Sequence, residues 1–325
     1  MRCRGVRRGR RTAARGVGAA AAVAALLAAG GCGSPHHGQD ARGTSRPPSS
    51  STSSSSSSKS PSPSPSPSRT AAAATGWDRD PASVAAVGDS ITRGFDACGL
   101  LRDCPSVSWS TGTDPSVDSL ALRLLGPAHV RDHSWNAARS GATMAALPAQ
   151  MARVAVHRPG LVTVAAGAND ACRSSVDGMT SVASFRTSFE TAMRKLRAVS
   201  PSSQVYVSSV PDLRRLWATG RANPLGREVW KLGICASMLG DAQSDDAAAR
   251  QRRQTVYDRI VAYNGVLRDV CAHDRRCRYD GGAVFGYRFS AKSLSPFDFF
   301  HPSKQGQATL ARIAYARVTA ARPTT

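Results

Sequence analysis

The stretch Val84-Ala85-Ala86-Val87-Gly88-Asp89-Ser90-Ile91-Thr92 constrains this chain more than any other. A run of small apolar residues stops at a glycine, and a serine follows two positions later. A short apolar run bounded by turn residues reads as a strand buried on both faces. The turn after it reads as the opening of a helix. Open parallel sheets bind ligands at the carboxyl ends of their strands, so Ser90 falls where a nucleophile would meet a substrate. A Gly-Asp-Ser tripeptide is also an ordinary turn with a helix cap. Its meaning depends on what accompanies it.

Strand-like and helix-like patterns alternate from Trp77 to the end of the chain. Strands are expected at Ser83–Val87, His133–Ala137, Leu161–Ala166 and Gln204–Val210. Helical spacing covers Val117–Leu125, with Asp114 or Ser116 as caps, then Met144–Val156, Val182–Val199, Ala247–Val270 and Gln305–Thr319. Strands separated by helices predict a parallel sheet covered on both faces. Residues 211–244 break the rhythm with two prolines, four glycines and two tryptophans. They read as a long insertion after the fourth strand, on the ligand-binding edge. Leu213, Leu216, Trp217 and Trp230 from it, with Trp109-Ser110-Thr111-Gly112, are candidates to line a pocket or to be ordinary core.

The first 76 residues read differently. Residues 2–15 carry seven Arg and no acid, and an Ala/Val/Leu/Gly run follows to Ala29. A basic start before a short apolar run reads as a signal peptide over residues 1–31. Leu26-Leu27-Ala28-Ala29-Gly30-Gly31-Cys32 resembles a bacterial lipobox, departing from it at Ala29, where leucine is usual. Cys32 is thus a candidate lipidation site, against simple cleavage and release. Arg7-Arg8 and Arg10-Arg11 leave twin-arginine export open beside the general route. Residues 32–76 are Ser- and Pro-rich, with Ser-Pro alternation from Ser60 to Ser68. They offer almost nothing apolar to bury and read as a disordered spacer. The localisation expected is outside the cell membrane, as an anchored lipoprotein or a secreted protein. Basic residues exceed acidic ones by 21, and residues 1–69 hold 11 of the Lys and Arg against a single acid, Asp40. Aromatic–basic motifs that read nucleic acid are missing, so no nucleic-acid partner is expected.

The blocks Gly88-Asp89-Ser90, Gly141, Gly167-x-Asn169-Asp170 and Asp298-x-x-His301 occur in order at domain-scale spacing. Together they resemble the SGNH, or GDSL, hydrolase superfamily, as does the continuation Pro302-Ser303-Lys304-Gln305-Gly306-Gln307. The resemblance spans Gly88 to His301. It implies a flavodoxin-like three-layer α/β/α sandwich over residues 77–325, and hydrolysis of carboxylic esters. Ser90 would be the nucleophile, His301 the general base and Asp298 its orienting carboxylate. The Ser90 N–H, the Gly141 N–H and the Asn169 amide would form the oxyanion hole.

The chemistry of those residue types agrees. A serine hydroxyl is protonated at neutral pH and needs a base beside it. An imidazole titrates near neutrality and can take and return the proton. A carboxylate three residues earlier can accept the other ring N–H and fix the tautomer. The oxyanion of the tetrahedral intermediate needs donors already in place. Asn supplies a donor where Asp would not, and glycine lets backbone approach closely. Asp89 and Asp170 are expected only to bond loop backbone. No metal or organic cofactor is expected, and the chain is expected to be a monomer.

The six domain cysteines form an even set, which in an exported chain suggests disulfides. The resemblance to secreted lipases and esterases implies sequential pairing: Cys98–Cys104, Cys172–Cys235 and Cys271–Cys277. A zinc site is the rival, but the short pairs lack C-x₂-C spacing. Substrates span small-molecule, glycan and lipid esters. The lack of a long apolar lid-like stretch points toward small or sugar-linked acyl groups. Two other readings stay open: a non-catalytic cell-envelope binding protein on the same fold, and a metal-dependent phosphoesterase using Asp89, Asp298 and His301.

Overall fold

The computed structural model describes residues 76–321. The signal peptide, Cys32 and the Ser/Pro-rich spacer up to residue 75 lie outside the described residues. Within them the order is β1 (Val84–Gly88), α1 (Ser90–Arg93), α2 (Leu120–Leu125), β2 (Ser134–Asn136), α3 (Leu147–Ala155), β3 (Leu161–Ala165), α4 (Ala168–Ala171) and α5 (Val182–Val199). It continues with β4 (Gln204–Val207), α6 (Leu213–Gly220), α7 (Pro224–Trp230), α8 (Ala236–Leu239), α9 (Ala247–Ala272), β5 (Cys277–Tyr279), α10 (Ala283–Gly286) and α11 (Lys304–Val318).

The five strands are parallel, in the order β2-β1-β3-β4-β5. This is the flavodoxin-like order, whose switch point lies between β1 and β3. The period-2 alternation of a strand sends successive side chains to opposite faces. Ala85, Val87, Val162, Val164, Val205 and Val207 join α3, α5 and α9 in one core layer. Leu161, Ala165 and Tyr206 face α11 in the other. The sheet is therefore covered on both sides, and every residue of β1 and β3 is buried.

Several expected boundaries move for local reasons. The second helix begins at Leu120, because Asp118 takes a φ of 51° that a helix cannot contain. Ser119, not Asp114 or Ser116, caps it by accepting from Leu122 N at 3.1 Å. Residues Met144–Ala146 form a 3₁₀ turn before α3. Pro148 lacks the N–H that would bond back to Met144 in an α-helix. The fourth strand stops at Val207, and Val210 leaves the sheet to exchange two hydrogen bonds with the Asn264 side chain. Strand β5 escaped the sequence reading. It is three residues long, and its central Arg278 is buried, donating to Ala320 O and lying 4.3 Å from the Trp77 ring centroid. The 211–244 insertion folds into α6, α7 and α8. The pairs Cys98–Cys104, Cys172–Cys235 and Cys271–Cys277 are bonded. No described helix is long and apolar enough to cross a membrane.

Candidate active site

Strand β1 delivers Ser90 through a turn that only glycine can make. Gly88 has a φ of 149°, and a Cβ there would lie 2.2 Å from Ala165 O on β3. The Gln150 side chain clamps the same residue, accepting from Gly88 N at 2.7 Å and donating to Gly88 O at 2.9 Å. Asp89 then caps α1, its Oδ1 accepting from Ile91 N at 2.9 Å. Its Oδ2 is buried without a partner. Burial pushes the Asp89 carboxyl up to about 7, against the pull of the Ile91 N–H.

Ser90 sits at the head of α1, 6 % exposed. Its Oγ lies 2.8 Å from His301 Nε2. His301 Nδ1 lies 2.5 Å from Asp298 Oδ2, and Asp298 Oδ1 accepts from the N–H groups of Phe300 and His301 at 2.9 and 3.0 Å. With Nδ1 carrying the proton, Nε2 is left to accept from the serine. Burial works against the Asp298 charge, but the bond to His301, its positive charge and the two backbone donors hold the carboxyl below its usual range. Phe95 flanks the imidazole with ring centroids 4.9 Å apart, and Phe300 at 5.0 Å.

The Asp298–His301 turn is held from outside. Phe299 has a φ of 52°, a conformation non-glycine residues rarely take. Its ring abuts Gly226 of α7, where a Cβ would come within 2.9 Å of Cγ. Trp230 of α7 is buried and donates to Asp298 O at 3.0 Å. On the other side Gln307 of α11 accepts from Trp109 N and donates to Ile91 O, each at 2.9 Å. The imidazole-bearing loop is thus braced by α7 and the hydroxyl-bearing helix by α11.

Asn169 opens the turn after β3, the strand on the other side of the switch point. Its amide donates to Ala142 O at 3.0 Å, which leaves a second amide hydrogen. Asp170 bonds the same loop, accepting from Met144 N at 2.8 Å; burial raises its carboxyl. Gly141 lies in that loop, exposed, with a φ of 79°, and its N–H enters no backbone hydrogen bond. Asp103, inside the Cys98–Cys104 ring, ties Ser140 Oγ and the Arg93 guanidinium. Gly141 does not line the cleft described next; Ser90 and Asn169 do.

That cleft opens at Ser90 and His301 and runs between the sheet and α11. Trp109, Tyr206, Leu213, Val284, Phe289 and Leu310 supply its apolar walls. Leu216 also lines it, but two expected wall residues do not. Trp230 is the brace described above. Trp217 instead takes the guanidinium groups of Arg221 and Arg253 over its ring, 4.4 and 4.0 Å from the centroid.

Asp96, Asp298 and His301 bring one potential ligand atom each to within 4.8 Å of one another, the sole such grouping among the described residues. His301 already uses both ring nitrogens in hydrogen bonds. Asp89, expected in a metal-binding alternative, is not in the group; it caps α1 instead.

The GDSL-like lipase/acylhydrolase family matches residues 86–309. The chain belongs to that family. It is an ester hydrolase. No curated protein matches the sequence. Among solved structures it is similar to the extracellular lipase of Streptomyces rimosus, with 17 % identity and a TM-score of 0.42 over 73 % of this chain and 99 % of that one. Phospholipase A1 from Streptomyces albidoflavus NA297 gives 19 % identity and a TM-score of 0.42 over 74 % and 100 %. A family 3 carbohydrate esterase of Clostridium thermocellum gives 17 % and 0.41 over 72 % and 92 %.

Proposed function

We propose that this GDSL-family hydrolase is an exported serine esterase that passes through an acyl-enzyme on Ser90. The observation that carries the reading is the continuous hydrogen-bonded chain from Ser90 Oγ through His301 to Asp298 Oδ2, at the mouth of an apolar cleft. In the first step His301 Nε2 takes the Ser90 proton as Oγ attacks the ester carbonyl. Asp298 accepts the Nδ1–H and stabilises the imidazolium. The oxyanion is received by the Ser90 N–H, the free hydrogen of the Asn169 amide and the Gly141 N–H. His301 then protonates the leaving alcohol, and a water activated by the same imidazole releases the acid.

The cleft walls support an apolar acyl group of several carbons. The sequence expectation of a small or sugar-linked acyl group came from the lack of a continuous apolar lid. The walls are instead assembled from single residues of the Trp109 loop, β4, α6, α10 and α11. Export is supported by the Arg-rich apolar leader and by three disulfides, which persist in oxidising compartments. Anchoring through a lipidated Cys32, with residues 33–76 as a spacer, fits the same picture.

The test is hydrolysis of p-nitrophenyl esters from acetyl to palmitoyl by the wild type and by Ser90→Ala. Turnover that rises above the acetyl ester and vanishes in the folded variant is expected. Equal turnover in both proteins would remove Ser90 from the chemistry.

A further inference from the structure

Asp96 is a buried acid that the mechanism above does not use. It lies six residues after Ser90, at a φ of 56°, and is 1 % exposed. Both of its carboxyl oxygens are buried without a donor. Its backbone is fixed: its N–H donates to Arg102 O at 3.0 Å, and its carbonyl accepts from Ser295 Oγ at 2.8 Å. This position faces the Asp298–His301 turn, with one oxygen of Asp96 within 4.8 Å of both an Asp298 oxygen and a His301 nitrogen.

Two ionised carboxylates so close in a buried pocket repel each other strongly, and such pairs hold on to a proton. Asp298 is the one that stays ionised, because it has His301 and two backbone N–H groups as donors. Asp96 has none. The nearby charged groups are Asp298 and His301 on the facing turn, Asp89, which interacts electrostatically with His301, and Arg93 on α1, which is engaged by Asp103 at 3.1 Å. No ion pair to Asp96 is found among the described residues.

We infer that Asp96 is a protonated positioning residue that donates a hydrogen bond to Asp298, extending the chain to Asp96–Asp298–His301–Ser90. Burial first, then the Asp298 charge, raise the Asp96 carboxyl, and the hydrogen bond between the two carboxyl groups adds to this, against the opposing pull of the Leu101 N–H and of His301; the net direction is in keeping with that geometry. The consequence concerns the histidine. A donor on Asp298 draws off part of its negative charge, so the imidazolium is stabilised less. The acid limb of the pH–rate profile is where that weaker stabilisation is read. The role in turnover rests on the serine-esterase reading; the protonation state does not.

Asp96→Asn and Asp96→Ala decide it. Asn tolerates the left-handed backbone, keeps a neutral donor and should fold. The rate of Ser90 labelling by a fluorophosphonate is measured against pH, alongside kcat/KM. In the wild type the acid limb reports the base. With Asn the limb stays in place. With Ala the donor is gone, Asp298 bears its full charge, and the limb moves up by about one pH unit. A limb that falls with Asn would mean that Asp96 is an anion, and would overturn the inference. So would an Ala variant with an unmoved limb, or loss of activity in a chelator restored by a divalent cation. Infrared difference spectra at pH 8 give a readout without turnover. A protonated-carboxyl C=O band present in the wild type and absent in Asp96→Asn is expected; no such band refutes the inference. A wild type that never labels at Ser90 would sink the esterase reading and leave the infrared result standing.

Discussion

Replacing Asp89 by Asn should make the protein more stable at alkaline pH, although the residue immediately precedes Ser90, the proposed nucleophile. Asp89 is 1 % exposed, with one oxygen capping Ile91 N and the other unpartnered. Its carboxyl sits at about 7 in the folded protein against 3.8 for the free group. Between those values the folded chain keeps a proton that the unfolded chain has lost. Folding therefore takes up a proton in that window, and stability falls as pH rises through it. The full interval is worth about 4 kcal/mol at 1.36 kcal/mol per pH unit, of which about 2.5 kcal/mol is lost between pH 5 and pH 8. Asn caps a helix as well as Asp does and places an amide where the retained proton was. Its stability carries none of this slope. Urea denaturation of both proteins at pH 5 and pH 8 should show the wild type losing about 2.5 kcal/mol more than Asp89→Asn, or about 5–10 °C in melting temperature for a domain of this size. Parallel pH dependences would refute the reasoning, since they would mean that the buried carboxyl ionises as readily as in the unfolded chain.

Asn169→Ala should lower kcat by roughly 10²–10³-fold, the usual loss for one oxyanion donor, with little change in KM; an unchanged kcat in steady-state assays removes Asn169 from the site. Gly88→Ala should destabilise by on the order of 4 kcal/mol or prevent folding, because the new Cβ meets Ala165 O at 2.2 Å; a wild-type thermal melt would contradict the turn geometry. Gly141→Ala meets no neighbouring atom, but its φ of 79° is strained for alanine, so the variant should fold with about 1–2 kcal/mol less stability in chemical denaturation. Opening Cys172–Cys235 with a Ser pair should cost about 4 kcal/mol by loop-closure entropy, since 63 residues separate the two. The two six-residue rings should cost only about 2 kcal/mol each on the same basis, and chemical denaturation of the three double mutants ranks them.

The sheet was readable in the sequence because its strands are buried on both faces. Leu161–Ala165 and Val84–Val87 are continuous apolar runs, and no other local structure of that length would bury them so fully. Helix α5 was readable to the residue because Ser181 caps it and Phe185, Phe189, Met193 and Leu196 repeat at helical spacing. What escaped had no periodicity to read. Strand β5 carries Cys277, Arg278 and Tyr279, and is a strand only because β4 offers it an unpaired edge. The insertion helices are short, and their amphipathic faces make sense only once α9 and the Asp298 turn stand beside them.

The site divides along the same line. Ser90 and Asn169 could be picked out because each lies where a helix opens after a strand end, and Asp298 and His301 because their spacing completes the block order of the family. Gln150, Trp230 and Asp96 could not. Gln150 looks like one more polar residue in α3, yet it holds both polar groups of Gly88. Trp230 looks like a pocket wall, yet it donates to the carbonyl of the carboxylate residue. Asp96 lies in a loop, in a left-handed conformation that no motif announces, and its meaning depends on a residue about two hundred positions later. In the proposed mechanism the motif residues carry the reaction, while Gln150 of α3, Trp230 of α7 and Asp96 of the loop after α1 are the residues placed to hold them. On the proposal above, Asp96→Ala keeps all four blocks and yet changes the acid limb, because that property is placed on the second carboxyl and not on the motif residues.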